Sequence, residues 1–411
     1  MVNRLLSLEL LSPGQSCFLL GPRGTGKTFL VESFLAAGVA RESFASINLL
    51  EEDTFTRYVA RPSRMREELE QQLTRHPTPF TVFIDEVQRI PALLNEVHSL
   101  IERYKGRIRF ILTGSSARKL KRAKANLLGG RAWNFHLHPL THRESVDSLE
   151  RALHLGTLPA VYLDANSPER TLRAYVQTYL KEEIREEALV RRVDAFVRFL
   201  DVAAQANGEP INFTKVGLDC GVSTKTAQEY FSILEDTLIV HRLDGWSRSA
   251  RKQLTQQPKF YWFDNGVLNS VRGELSDAPR EGSSRFGSLF ETWVIQEMIR
   301  LNDYQETDFR FHHWRTNTNM EVDIVVSKNG LNPLYGIEIK SGTSPRLEDV
   351  KGLLSFQTDF PQAKLFCFCR APQAYRLEAV EFLPWREGLK RLFPHGDEDT
   401  AEKQTAQQRR Q

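Results

Sequence analysis

Gly21-Pro22-Arg23-Gly24-Thr25-Gly26-Lys27-Thr28 is the stretch from which the chain is read. It meets G-x-x-x-x-G-K-[ST] at every fixed position, and its flanks supply the strand–loop–helix context that the pattern needs. Ser16-Cys17-Phe18-Leu19-Leu20 before it is a short apolar strand, and Phe29-Leu30-Val31-Glu32-Ser33-Phe34-Leu35 after it is apolar at helical spacing. Glycines let successive backbone N–H groups turn inward around phosphate oxygens, and the helix that follows presents its positive dipole end to them. In that arrangement Gly21, Pro22, Arg23, Gly24, Thr25 and Gly26 cradle a nucleoside triphosphate. Lys27 reaches the β- and γ-phosphates, and the Thr28 hydroxyl sits on Mg²⁺. The plain alternative is a glycine-rich turn before an ordinary helix.

Working outward, residues 1–15 read as a short helix and turn, residues 44–49 as a second strand, and residues 62–75 as a helix. Phe80-Thr81-Val82-Phe83-Ile84-Asp85-Glu86 is the next strong signal. A near-continuous apolar run ending in two acids describes a parallel strand covered on both faces, with carboxylates at the edge where open α/β sheets bind ligands. Asp85 is expected to hold Mg²⁺, directly or through water, and Glu86 to polarise the attacking water; two solvated loop acids are the alternative. Arg109-Phe110-Ile111-Leu112-Thr113-Gly114-Ser115-Ser116 repeats the geometry. Ser115 is placed between the γ-phosphate and the water, with Ser116 as the alternative and a simple helix N-cap as the structural reading. Arg118, Lys119, Lys121, Arg122, Lys124 and Arg131 make the most basic segment, either a solvated face or a phosphate-facing one. Arg131, after Gly129-Gly130, is a candidate arginine finger in its own subunit or a neighbour's. Residues 136–140 read as an apolar edge strand with structural histidines.

Length and composition bound the rest. A chain of 411 residues exceeds one typical core, so two or three domains are expected. A net charge of only +3 gives the whole-protein field no role in attracting nucleic acid, which leaves local clusters. Cys17, Cys220, Cys367 and Cys369 have no metal spacing and read as buried reduced thiols, which points to the cytoplasm. Residues 5–11 are interrupted by Ser7 and Glu9, unlike a leader peptide. No apolar run approaches the roughly 18 residues of a membrane span, so no membrane partner is expected.

On these residues the chain resembles the AAA-type P-loop ATPases of bacteria and archaea that carry a C-terminal domain of unknown function related to restriction endonucleases. Residues 21–28, 82–91, 112–116 and 130–144 match in order, and the resemblance covers nearly the whole chain. One departure is Leu155-Gly156-Thr157-Leu158-Pro159, where the family often has a Gly-Gly-aromatic-Pro turn. The resemblance implies ATP hydrolysis carried by Lys27, Thr28, Asp85 and Glu86, with ATP and Mg²⁺ as cofactors, and implies self-association.

From Pro168 the pattern turns helical, with Leu172, Tyr175, Val176, Tyr179, Leu180 and Ile184 as an apolar stripe and residues 181–187 as a solvated face. Residues 193–246 look like a winged helix: three helices with a tight turn at Gly221-Val222-Ser223, then a returning strand. In a helix-turn-helix the third helix enters the major groove, which nominates Ser223, Thr224, Lys225, Thr226 and Gln228. Glu229, Glu235 and Asp236 weaken that charge, so DNA contact and a structural docking role both stand. Residues 247–252 add positive charge.

The C-terminal region holds an aromatic strand ending in a turn at Asp264-Asn265-Gly266, a helix from Phe286 to Leu301 bearing Glu291, and two strands carrying Asp323 and Glu338-Ile339-Lys340. Alternation puts Glu338 and Lys340 on one face. This D…E-x-K constellation resembles the restriction-endonuclease-like fold, which implies Mg²⁺ held by Asp323, Glu338 and Glu291, with Lys340 orienting the water. An inert scaffold used for assembly or nucleic-acid holding is the equal alternative. His312 and His313 read as structural. The expected architecture is α/β: an AAA-type parallel-sheet domain (1–165), a helical and winged-helix module (166–255), a restriction-endonuclease-like domain (256–395) and a disordered tail (396–411). Nucleic acid, DNA in particular, is the expected partner.

Overall fold

The continuous apolar runs become the middle of a parallel sheet. In the computed structural model β1 (Ser16–Leu20), β2 (Phe44–Asn48), β3 (Phe80–Asp85), β4 (Ile108–Gly114) and β5 (Ala132–His136) lie in the order β2-β3-β4-β1-β5, every pairing parallel. The structure describes residues 2–12, 14–40, 43–76, 79–116, 128–145, 148–164, 166–180, 193–247, 257–328 and 332–394. The basic run 118–124, the charged run 181–187 with Ile184, residues 248–252 and the tail 396–411 lie outside them.

β1, β3 and β4 are buried along their whole length, as strands covered on both faces must be. Helices α1 (Lys27–Gly38), α2 (Glu52–Ala60), α3 (Ser63–Leu73) and α4 (Leu93–Arg103) surround the sheet. Met65, Leu69 and Leu73 of α3 recur at helical spacing. With Leu93, Leu94, Val97 and Leu100 of α4 they join one core with Val82, Ile84, Phe110 and Leu112. Each such side chain removed from water contributes about 1.5–3 kcal/mol. The order places β4 between the strand that leads into the phosphate loop and the strand that ends in the acids. Ser115 therefore emerges beside Asp85 and Glu86.

The fifth strand differs from expectation. It spans Ala132–His136 rather than residues 136–140, in register Ser16↔Ala132 to Leu20↔His136. As the sheet edge it leaves Trp133 and Asn134 exposed, which hides its apolar alternation. Leu137 and Leu140, which carried the sequence signal, are buried just beyond its end.

Further along come α5 (Leu149–Leu155), ended by Gly156 at the 155–159 turn, and α6 (Pro168–Ala174), which continues as a π-helical turn over Tyr175–Leu180. Leu172, Tyr175, Val176 and Leu180 are buried, as the stripe requires. α7 (Val193–Gln205), α8 (Phe213–Cys220) and α9 (Thr224–Asp236) follow. The turn between α8 and α9 is closed by Val222 N donating to Gly217 O at 2.8 Å, and Ser223 caps α9 by accepting from Thr226 N at 3.1 Å. Phe196 packs on Tyr230 at 4.8 Å and Phe199 on Phe231 at 4.9 Å.

The second sheet comprises β6 (Val240–Gly245), β7 (Lys259–Trp262), β8 (Arg310–Arg315), β9 (Glu321–Ser327), β10 (Pro333–Ile339), β11 (Lys364–Cys369), β12 (Tyr375–Leu377) and β13 (Val380–Pro384). Their order is β12-β13-β11-β10-β9-β8-β6-β7. β6, expected as the returning strand of a winged helix, runs parallel to β8, so its backbone groups are satisfied by this sheet. Helices α10 (Asn265–Arg272), α11 (Ser284–Gln305), α12 (Lys351–Asp359) and α13 (Trp385–Leu392) accompany it. The expected turn at 264–266 is the start of α10: Asp264 is its N-cap, accepting from Val267 N at 3.0 Å. The four cysteines are free and buried. Among the described residues no helix is long and apolar enough to cross a membrane.

Two compact units result: Met1–Asp147 with Thr157–Phe199 and Gly217–Val240, and Ser148–Gly156 with Leu200–Val216 and His241–Gln411. In the second, α12 crosses β9 so closely that a Cβ on Gly352 would lie 1.7 Å from the Glu321 carbonyl oxygen. Gly352→Ala is therefore expected to destabilise that unit by about 3 kcal/mol through overpacking against backbone. Urea unfolding of the variant reads the effect, and an unchanged midpoint would refute the close approach.

Candidate functional site

The loop between β1 and α1 has the backbone its glycines permit. Gly24 and Gly26 adopt φ of +82° and +90°, a region that L side chains rarely enter. Gly21 is required for space, since a Cβ there would fall 2.2 Å from Leu137 O. Thr25 Oγ1 donates to Pro22 O at 2.9 Å. Lys27 is buried and lies back along the loop, its Nζ donating to Gly21 O at 2.7 Å and Pro22 O at 3.1 Å. Arg23 is exposed. The loop is also tethered from outside the motif. Arg4 donates through Nη1 to Thr25 O at 2.7 Å, through Nη2 to His138 O at 2.6 Å and through Nε to Glu144 Oε1 at 2.8 Å. The Glu144 side chain is fully buried and accepts further bonds from Leu5 N and Thr141 N, both at 2.8 Å.

At the tips of β3 and β4 a second group of hydrogen bonds has one consistent polarity. Thr28 Oγ1 donates to Asp85 Oδ2 at 2.9 Å, and Thr113 Oγ1 donates to Asp85 Oδ1. Thr113 Oγ1 in turn accepts from Glu86 N at 3.2 Å. Glu86 is held in the left-handed region, φ 58° and ψ 46°, a conformation costing about 1 kcal/mol or more for a residue with a Cβ. Gln88 Nε2 donates both to Glu86 Oε2 and, at 3.0 Å, to Ser115 Oγ. The structure thus brings Thr28, Asp85, Glu86 and Ser115 into one network. Thr113 and Gln88 complete it, and sequence reasoning missed both. Their signal was present: a threonine buried inside an apolar strand, and an amide two residues past the acids. Arg4 and Glu144 gave no local signal, being 140 residues apart. Arg131 stands apart from this network, ion-paired with Glu102 and donating to Gly129 O at 3.1 Å.

In the second unit, Asp323 on β9 and Glu338 on β10 are buried, and Glu291 on α11 is half-buried and lines a polar pocket of about 300 Å³. Lys340, Glu291, Ser284, Ser288, Thr292 and Ser341 contribute to its lining. Tyr261 OH donates to Glu291 Oε1 at 2.7 Å, Ile339 N donates to Asp323 Oδ2 at 2.7 Å, and Lys340 Nζ donates to Glu338 Oε1 at 2.7 Å. A buried cation, Lys259, pairs with Glu321. Burial pushes the Glu291 carboxyl up to about 7, and the Asp323 charge adds to the rise. Burial raises Glu338 well above the carboxylate range, helped by Asp323, and burial raises Asp323 itself against the pull of Lys340. Burial opposes the Lys259 charge, but Glu291, Asp323 and Glu321 outweigh it and lift its pKa. Among the described residues no group of three or more His, Cys, Asp or Glu side chains is arranged to hold a metal ion. One oxygen of each of the three carboxylates meets a protein donor, while Glu338 Oε2 is buried without a partner among the described residues. Lys259 and Tyr261, which sequence reasoning passed over, opened the aromatic run of β7.

With this geometry in hand, residues 14–146 match the family model described as AAA domain. Residues 146–278 and 286–387 match two models described as domains of unknown function, DUF8612 and DUF4143. An uncharacterized protein of Mycobacterium tuberculosis and one of Mycobacterium bovis are each 27% identical over 287 residues. That stretch is 69% of this chain, and the chain spans 63% of the length of these relatives. An uncharacterized protein of Haemophilus influenzae is 22% identical over 320 residues, covering 70% of this chain and 77% of its own. A RuvB mutant from Thermotoga maritima aligns at 14% identity and a TM-score of 0.28 over 56% of this chain and 82% of its own, a level at which neither substrate nor partner transfers. Over residues 14–146 the chain is thus similar to AAA-type P-loop domains and has a parallel five-stranded α/β sheet.

Two neighbouring histidines of β8, His312 and His313, give a pH signature. His313 Nε2 bonds to Gln257 O at 3.0 Å, while its Nδ1 is buried without a partner among the described residues. Burial, and then the Lys259 charge, push its pKa from 6.5 down to about 4. Burial pushes His312 down as well. The unfolded chain takes up these protons first, so the stability they confer is complete above pH 6.5 and is lost as pH falls toward 4. His313→Gln is expected to flatten the urea stability profile across that window by up to about 3 kcal/mol. A profile as steep as wild type would exclude His313 as its source.

Proposed function

We propose that the N-terminal unit binds Mg-ATP and hydrolyses it. The observation that carries this reading is the convergence of the Thr28 and Thr113 hydroxyls on the two oxygens of Asp85, next to Glu86 and the phosphate loop. A hydroxyl and a carboxylate 2.9 Å apart are hard oxygen donors of the kind Mg²⁺ takes, so Thr28 and Asp85 would hold the ion. When bound, the ion would offset phosphate charge. The loop amides receive the phosphates, and Lys27 transfers its Nζ from the Gly21 and Pro22 carbonyls to the β- and γ-phosphates. Glu86 orients the water and accepts its proton, and Ser115 donates to the γ-phosphate. Arg131 serves as a finger only if its ion pair with Glu102 opens.

The same reading extends to nucleic acid through α9. Thr224, Lys225 and Gln228 are exposed at its first turns, whereas the Ser223 hydroxyl is engaged in capping. For the second unit, a binding or docking role under nucleotide control is favoured over metal-dependent cleavage, because among the described residues no group of three or more His, Cys, Asp or Glu side chains is arranged to hold a metal ion.

Purified protein is expected to hydrolyse ATP in Mg²⁺ with kcat reduced about 10²-fold or more in Lys27→Ala and in Glu86→Gln. Wild-type turnover equal to the variants would end the ATPase reading. Duplex DNA is expected to stimulate turnover, and that stimulation to weaken in Lys225→Ala. Mg²⁺- or Mn²⁺-dependent cleavage of plasmid or single-stranded DNA that Asp323→Ala abolishes would replace the docking role with a nuclease.

A further inference from the structure

The Gln88 side chain is buried at the tip of β3, and its amide is the only described link between Glu86 and Ser115. Its orientation is fixed by chemistry. An ionised carboxylate only accepts, so the amide nitrogen must face Glu86. The second N–H of the same nitrogen then points to Ser115 Oγ, 3.0 Å away. The amide oxygen is turned toward Gly114, where a Cβ would lie 2.7 Å from it, and has no hydrogen-bond partner among the described residues. A buried amide held with its acceptor unsatisfied has its placement set by its donors.

Resting on the ATPase reading above, the geometry points to Gln88 as a positioning residue that sets the polarity of the water-activating site. One N–H aims the Glu86 carboxylate and keeps it an acceptor. The other occupies a lone pair of Ser115, so that the hydroxyl proton is left to donate outward, toward the transferred phosphoryl group. The two residues that act on opposite sides of the attacking water are thereby oriented by a single amide. Gly114 provides the room in which that amide sits.

The test uses the full chain and measures Mg-ATP turnover together with nucleotide affinity, read with a fluorescent ATP analogue. Gln88→Leu keeps the volume and removes both donors. It is expected to lower kcat about 10- to 100-fold while the nucleotide Kd moves less than about 3-fold. Gly114→Ala, which displaces the amide without touching Gln88, is expected to do the same. In the Gln88→Leu background, adding Ser115→Ala is expected to cost far less than it does in wild type, because the serine has already lost its orientation. Gln88→Glu is nearly isosteric and sets a second carboxyl against Glu86. It is expected to move the acidic limb of the pH–rate profile upward, a change that loss of packing would not produce. Wild-type turnover well above Lys27→Ala, with Gln88→Leu and Gly114→Ala both unaltered, would overturn this inference alone. So would losses in Gln88→Leu and Ser115→Ala that simply multiply. Wild-type turnover no faster than Lys27→Ala would overturn the ATPase reading and this inference with it.

Discussion

The candidate nucleotide site depends on the Asp85 carboxylate receiving two threonine hydroxyls, one from the helix after the phosphate loop and one from the neighbouring strand. These two bonds join three separate elements, α1, β3 and β4, at a single charged group. They also fix the direction of the bonds around it. Thr113, having given its proton to Asp85, accepts from the Glu86 amide, and that bond supports Glu86 in its left-handed turn. Strain of that kind persists where surrounding contacts over-determine it, and it marks sites of pre-organisation.

The sheet core was legible because strands covered on both faces carry an unbroken apolar signal, as residues 80–84 and 110–112 do. The phosphate loop was legible because its backbone requires glycines at fixed spacing. What escaped the sequence shares one physical character. β5 was displaced because an edge strand need not be apolar, and Trp133 faces out. The strand after α9 looked like the wing of a local module, yet its hydrogen-bond partner, β8, lies more than sixty residues downstream. Thr113, Gln88 and Arg4 act through polar contacts between elements, and neither periodicity nor propensity encodes such contacts.

The second unit illustrates how burying charge constrains a fold. Removing a carboxylate from water is costly unless a partner is supplied. Here Glu291, Asp323 and Glu338 are answered by a phenol, a backbone amide and an ammonium, with Lys259 as a further internal cation. Of the D…E-x-K residues read from sequence, Asp323 lies on β9 and Glu338 on β10, while Lys340 follows one residue past the end of β10 rather than on it. The electrical surroundings of the cluster also include residues from β7, and they determine what the cluster can accept.

The bond from Arg4 to the Thr25 carbonyl carries a lesson about where a motif ends. The eight residues of the phosphate loop look self-sufficient on paper. In the folded chain their shape is also held by a guanidinium from the leading segment and a carboxylate beyond the last strand of the sheet. Grafting the octapeptide onto another strand–helix junction would transfer its letters and leave its anchorage behind.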